Sequence, residues 1–199
     1  MQIERAIMGV TTLGPGSRLA VWVNGCPRRC KGCVSPRLQA GAPQNERDVI
    51  AFLQQFDLSD ADGVTVSGGE PFLQTEELWR MVRYLRGQGV EDILVYTGYT
   101  LGELRARHDA ATDGVLAAIS VLIDGPYREE ENSGKGNLKG SDNQCVHIFQ
   151  EELRARYEAY SREERAMQEF HFGGYTVAAG IPTAQYIAAF CRDEDNGGK

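Results

Sequence analysis

Apolar and polar positions along this chain alternate between two periods. Residues 18–25, "RLAVWVNG", read as a strand of β-branched and aromatic residues ending in an Asn24-Gly25 turn. Residues 45–56, "NERDVIAFLQQF", change to a helical repeat, with Asn45 as the expected N-cap and Val49, Ile50, Leu53 and Phe56 on one face. Residues 62–71, "DGVTVSGGEP", form a short strand running into a glycine turn. A second helix spans 75–89, capped by Thr75, with Leu78, Met81, Val82 and Leu85 as its stripe and Gly87 or Gly89 at its end.

The apolar run of 91–100, "EDILVYTGYT", is the mark of a strand covered on both faces. A short helix follows at 101–108, then a buried strand within 115–127, whose first residues, Val115 to Ala118, could also be helical. Residues 128–142 are polar and glycine-rich and read as a mobile loop. A strand at 143–149 precedes a long charged helix over 151–170, a hairpin around Gly173-Gly174, and a proline-initiated helix over 182–191 before a frayed end. Strands alternating with helices in this order predict parallel βαβ units with right-handed crossovers. The loops after the four strands, carrying the cysteines, "SGGEP", "TGYT" and "DGPY", then gather on one face, where such sheets bind ligands.

At 199 residues the chain fits one domain with an extension, a core over about 14–149 and a C-terminal part over 151–199. Its 42% hydrophobic and 25% charged residues are ordinary for a soluble domain, and no long uncharged apolar run suggests a membrane span. Glu4 and Arg5 sit where an export signal needs an apolar core, so a cytoplasmic location is expected. The net charge of -7 argues against nonspecific nucleic-acid binding, which needs a basic surface.

Three of the five cysteines fall in "GCPRRCKGC", as Cys26, Cys30 and Cys33. In a reducing compartment such clustering points to metal or redox chemistry. A zinc knuckle needs a fourth ligand, which Cys145 or His147 could supply, though neither forms a second paired motif. A plain ferredoxin cluster wants four thiolates. Three thiolates on a four-iron cluster leave one iron open.

This spacing resembles the cluster motif of the radical SAM superfamily, and "SGGEP" is similar to that family's glycine-rich strand end. Within the superfamily the chain looks most like the small activating enzymes of anaerobic ribonucleotide reductase. The likeness is carried by "GPGSRLAVWVNGC", the glycine of "CKGC", "SGGEPF", "VYTGYT", "LIDGPY" and "KGSDNQ". The resemblance implies a partial (β/α) barrel of mainly parallel strands. It implies a [4Fe–4S] cluster on Cys26, Cys30 and Cys33, and S-adenosylmethionine on the open iron. Gly32, Cys33 and Val34 would lie beside the adenine, while Ser67, Gly68, Gly69 and Glu70 would meet the methionine end. Thr97, Asp124 and Lys139 are further candidates for ribose or carboxylate contacts.

The implied reaction takes an electron from a low-potential donor such as flavodoxin or ferredoxin, cleaves the nucleoside reductively to a 5′-deoxyadenosyl radical, and removes hydrogen from a glycine of a partner polypeptide. No acid–base dyad is expected beyond the cluster and the nucleoside. The chain departs from the group at Val34 and Ser35, where His or Phe and then Asn usually stand. It departs again at Lys139, which keeps an arginine's charge but loses its bidentate fork. Two alternatives compete: a radical SAM enzyme that modifies a peptide, by epimerisation or crosslinking, or another substrate directly, and a non-catalytic iron–sulfur or zinc module.

The remaining features read as structural. Cys145 and Cys191 fit small core hydrophobes. His108, His147 and His171 fit surface or strand positions, and Trp22 and Trp79 core anchors. "NSGKGN" lacks the outer residues of a phosphate loop. The charged helix is expected to be a solvated face, with partner docking as its functional reading.

Overall fold

A computed structural model describes residues 1–183, 185 and 186. The helix expected at 182–191, and Cys191 with it, lies outside the described residues for most of its length. Six strands form one sheet in chain order: β1 (Ile3–Val10), β2 (Arg18–Val23), β3 (Gly63–Gly68), β4 (Ile93–Tyr96), β5 (Val121–Asp124) and β6 (Cys145–Ile148). The pairings β2–β3, β3–β4 and β4–β5 are parallel, and the two outer pairings, β1–β2 and β5–β6, are antiparallel. The result is an α/β fold on a mostly parallel sheet. β1 is a strand that the pattern did not announce. Its burial is irregular because a register shift interrupts its pairing with β2 at each end, so no clean alternation reaches the sequence.

Helices α1 (Val49–Leu53), α2 (Thr75–Gly87) and α4 (Ala110–Ala118) cover one face. Leu19, Val21, Val64, Val66, Ile93, Val95 and Leu122 meet the α2 stripe of Leu78, Met81, Val82 and Leu85 there, all buried. The opposite face is closed by α5 (Arg154–Ser161) through Tyr157 and Tyr160, with Leu138, and by the hairpin β7 (Met167–Phe172) and β8 (Tyr175–Gly180). A strand covered on both faces shows no alternation, which is why β3 to β5 read as continuous apolar runs. Among the described residues no helix is long and apolar enough to cross a membrane.

Several boundaries differ from expectation for local reasons. Asp48, not Asn45, caps α1, its Oδ1 accepting the amides of Ile50 and Ala51; Asn45 instead donates to Glu4 and Asn24. Thr75 is the first residue of α2 rather than its cap, and its hydroxyl donates to the carbonyl of Phe72. Val115–Ala118 belong to α4, whose N-cap is Asp109. The long helix over 151–170 ends at Ser161, and 167–172 form β7, since Phe170 packs against the sheet as a strand residue. The short helix at 101–108 is α3 (Leu101–Arg105), closed by a Thr100–Glu103 capping box.

The glycine-rich stretch 128–142 is also not a free loop. Leu138, Asn137 and Ser141 are buried, and the Arg165 guanidinium donates to the carbonyls of Gly136, Lys139 and Gly140 and to Asn132 Oδ1. One arginine, distant in sequence, satisfies carbonyls that an irregular segment cannot pair within itself.

One buried polar network crosses the sheet. Arg18 and Asp92 have side chains 0% and 2% exposed and pair at 2.8 Å. Arg18 Nε donates to Thr65 Oγ1, and Tyr157 donates to Asp92 Oδ1. It joins β2, β3, the entry to β4, and α5. Arg18→Ala would leave the Asp92 carboxylate buried without its cation, and the expected loss is about 3–5 kcal/mol, read from urea denaturation. A loss under about 1 kcal/mol would contradict the account of this network.

Candidate active site at the strand ends

The parallel core of β2 to β5 points its C-terminal ends the same way, so the segments after β2, β3, β4 and β5 share one edge. The expected convergence of the four motifs is therefore present. Hydrogen bonds join each segment to the next, and the link from "SGGEP" to "TGYT" runs through the Glu70 side chain. Gly69 N–H donates to the carbonyl of Val23 at 2.7 Å and Glu70 N–H to that of Gly25 at 2.8 Å, fixing "SGGEP" against the start of the cysteine loop. The loop is held from its other side by residues 38–40: Gly25 N–H reaches the Leu38 carbonyl at 2.8 Å and Cys26 N–H that of Gln39 at 2.9 Å.

This crowding explains the glycines. A Cβ on Gly69 would collide with the carbonyl oxygen of Gly25 and stand 2.8 Å from that of Leu38. Gly68 lies at φ +106°, and its Cβ would come within 2.5 Å of the Val23 amide nitrogen. Both obstacles are backbone, which cannot rotate away.

Cys26, Cys30 and Cys33 are free thiols, each half-buried, while Pro27, Arg29, Lys31, Gly32 and Val34 between and after them are exposed. The pKa of Cys26 is pushed up by burial, with the charge of Glu70 adding to the shift and the amides of Arg28 and Arg29 opposing it. Gly32 is at φ +69° and faces the Glu129 side chain, and Lys31 pairs with Glu129 at 3.0 Å. A cleft of about 380 Å³ opens beside Cys26, lined by Asn24, Gly25, Pro27, Leu73 and Gln74 among others.

Glu70 is fully buried. Its Oε1 accepts from Phe72 N–H at 2.9 Å and from the Thr97 hydroxyl at 2.8 Å, and its Oε2 accepts from Gly98 N–H at 2.7 Å. Burial raises its pKa, while those donors and the Arg107 charge act the other way. The side chain is thus turned into the protein, and the strand-end glycines, not the carboxylate, form the surface there.

Thr97 donates to Glu70 and accepts from Tyr99 N–H at 3.1 Å. Asp124 accepts Leu101 N–H, the first amide of α3, at 2.5 Å, and Cys145 N–H at 3.3 Å. Lys139 donates to the carbonyl of Asp142 at 3.2 Å.

Support residues that sequence reading missed lie around Tyr99. The guanidiniums of Arg28, from the cysteine loop, and Arg107 stand over its ring at 4.4 and 4.2 Å. Arg28 also pairs with Glu103 at 2.8 Å. Its partners are more than seventy residues away, so no local pattern could have shown the contact. Cys145, expected in the core, is exposed, because β6 is an edge strand.

The profile of the 4Fe-4S single cluster domain matches residues 12–147, a span that contains every one of these loops. Curated relatives agree. The anaerobic ribonucleoside-triphosphate reductase-activating protein of Pasteurella multocida is 33% identical over 147 residues, covering 68% of this chain and 90% of that protein. Its namesake in Escherichia coli K12 is 32% identical, with 67% and 90% covered, and that of Enterobacteria phage T4 is 29% identical, with 66% and 83% covered.

The chain belongs to this family. It is an iron–sulfur activating enzyme of the radical SAM type, with a [4Fe–4S] cluster as cofactor. The part of the chain beyond the matched span contains α5 and the β7–β8 hairpin.

Two substitutions test the geometry. Gly69→Ala is expected to cost about 1–3 kcal/mol and to lose most of the bound iron while far-UV circular dichroism stays native-like. Full iron content would show that the contact with the cysteine loop does not matter. Glu70→Gln replaces an acceptor oxygen by a donor facing N–H or O–H groups; about 1–3 kcal/mol should be lost in chemical denaturation.

Proposed function

We propose that this enzyme installs a glycyl radical on an anaerobic ribonucleotide reductase, holding its cluster on Cys26, Cys30 and Cys33. The observation that carries the reading is the junction at 23–26 and 67–70. The loop that carries three free, half-buried thiols starts against a strand end from which side chains are excluded by backbone contacts. Cys26, Cys30 and Cys33 would hold the cluster through three thiolates and leave it a place for the nucleoside. When bound, the reduced cluster and S-adenosylmethionine supply the 5′-deoxyadenosyl radical that takes the glycine hydrogen.

The chain's own residues bind, orient and exclude. The backbone of Ser67, Gly68 and Gly69 would receive the methionine end, and the segment of half-buried Cys33 between exposed Gly32 and Val34 would flank the adenine. Glu70 acts at one remove, fixing that backbone through its own amide and fixing the "TGYT" segment through its carboxylate. Thr97 and Asp124 hold the neighbouring loops. Lys139 brings a cation to the 139–144 segment. The mostly parallel sheet curls into a partial barrel, with residues 1–199 acting as one domain. The cleft beside Cys26, open to solvent at Leu73, admits a polypeptide loop better than it encloses a small molecule. A low-potential carrier such as flavodoxin or ferredoxin supplies the electron.

The test is anaerobic reconstitution with iron and sulfide, then S-adenosylmethionine and dithionite. 5′-Deoxyadenosine should form, and Cys26→Ala, Cys30→Ala and Cys33→Ala should each reduce it to background. With the reductase added, electron paramagnetic resonance should show a glycyl radical on that partner. Deoxyadenosine without a partner radical would overturn the activating role and leave the nucleoside chemistry standing.

A further inference from the structure

We propose that Asp124, Cys145 and His147 form a second metal site, for a single thiophilic divalent cation of the zinc class, at the edge of the sheet. The site uses none of the loop cysteines. Asp124 pairs directly with Cys145 across β5–β6, and Leu122 with His147. Residues two apart on a strand share a face, so the three side chains project from one side of the sheet. That side is the one on which Leu122 meets the helices. β6 is the last strand in the order, so the site is reached from solvent.

The ligand atoms of the three residues all lie within 4.8 Å of one another. A tetrahedral zinc, at about 2.0–2.3 Å from nitrogen, oxygen and sulfur, holds its ligands roughly 3.3–3.7 Å apart. A rotation of the exposed Cys145 side chain would bring the sulfur in, and the His147–Asp124 pair, at 3.0 Å, would open slightly to admit the ion. The independent sign is His147 Nε2. It is buried and 3.0 Å from Asp124 Oδ2, yet among the described residues it has no hydrogen-bond partner. The contact is an ion pair only when the ring is protonated; for a neutral ring, a cation held by both the nitrogen and the carboxylate would satisfy the pair.

The outer contacts fit as well. Leu101 N–H and Cys145 N–H each take one carboxylate oxygen of Asp124, fixing its plane, and the His147 ring lies nearly parallel to Phe149 at 6.4 Å. Such contacts orient metal ligands. One sulfur, one nitrogen and one oxygen donor suit zinc, whereas magnesium and calcium want oxygen alone. Three protein ligands leave a fourth position for water.

The experiment uses the cluster-loaded protein, freed of loose metal by chelator and dialysed anaerobically against buffered micromolar zinc. One zinc per chain should be retained in addition to the iron. Zinc-edge absorption should show one sulfur at about 2.3 Å with nitrogen or oxygen at about 2.0 Å. Cys145→Ser and His147→Gln should each weaken retention by about tenfold or more at unchanged iron content. Cys145 is exposed, so its variant keeps the test decisive if the histidine variant folds poorly. No zinc above background, a shell with two or more sulfurs, or unchanged affinity in Cys145→Ser would overturn the site. Zinc content is read without nucleoside cleavage, so its failure is separate from any failure of the activating role.

Discussion

A fully buried carboxyl group organises the strand-end edge of this protein. Glu70 sits at the end of β3 with both oxygens occupied by donors from its own turn and from the loop after β4. Its backbone amide holds the residue before the first cysteine. A carboxyl group so deeply buried is tolerable only where several donors converge on it. The cost of leaving any of them unmade is what keeps three loops in one arrangement. The chain of contacts continues beyond it: Gly125 N–H bonds the carbonyl of Tyr99 at 2.9 Å, and Asp124 holds the start of α3, so the loop after β5 joins the same edge.

The sheet makes this possible because its central strands are parallel. Parallel neighbours deliver their C-terminal ends to one side, whereas the antiparallel strands β1 and β6 contribute their length to closing the sheet. The opposite end is fixed by a different buried charge pair, Arg18–Asp92, to which α5 adds Tyr157. The helix outside the matched span is therefore part of the core, and its charged face is only the solvent half of it.

Reading the chain as a line recovered most of the central elements. The α2 stripe, the strands β2 to β5 and the hairpin at Gly173-Gly174 all follow from short-range periodicity and turn chemistry. Errors gathered at places where a distant partner decides. Residues 167–172 look helical by charge but pair with β8, because Phe170 has the sheet to cover. The glycine-rich segment 128–142 looks mobile until Arg165 is placed against its carbonyls. Cys145 looks like a core residue, and only its edge position exposes it.

Three thiols in eight residues, and glycines followed by an acid at a strand end, are local facts, and they pointed to the family because each is a motif of contiguous residues. The sequence alone therefore sufficed for the family and for the kind of cofactor. What the acid touches was decided by tertiary structure. So were the support of the cysteine loop by Arg28, Tyr99 and Glu103, and the meeting of Asp124, Cys145 and His147 at one edge. Those depend on strand order and burial, which bring together side chains that twenty to seventy intervening residues keep apart in the chain.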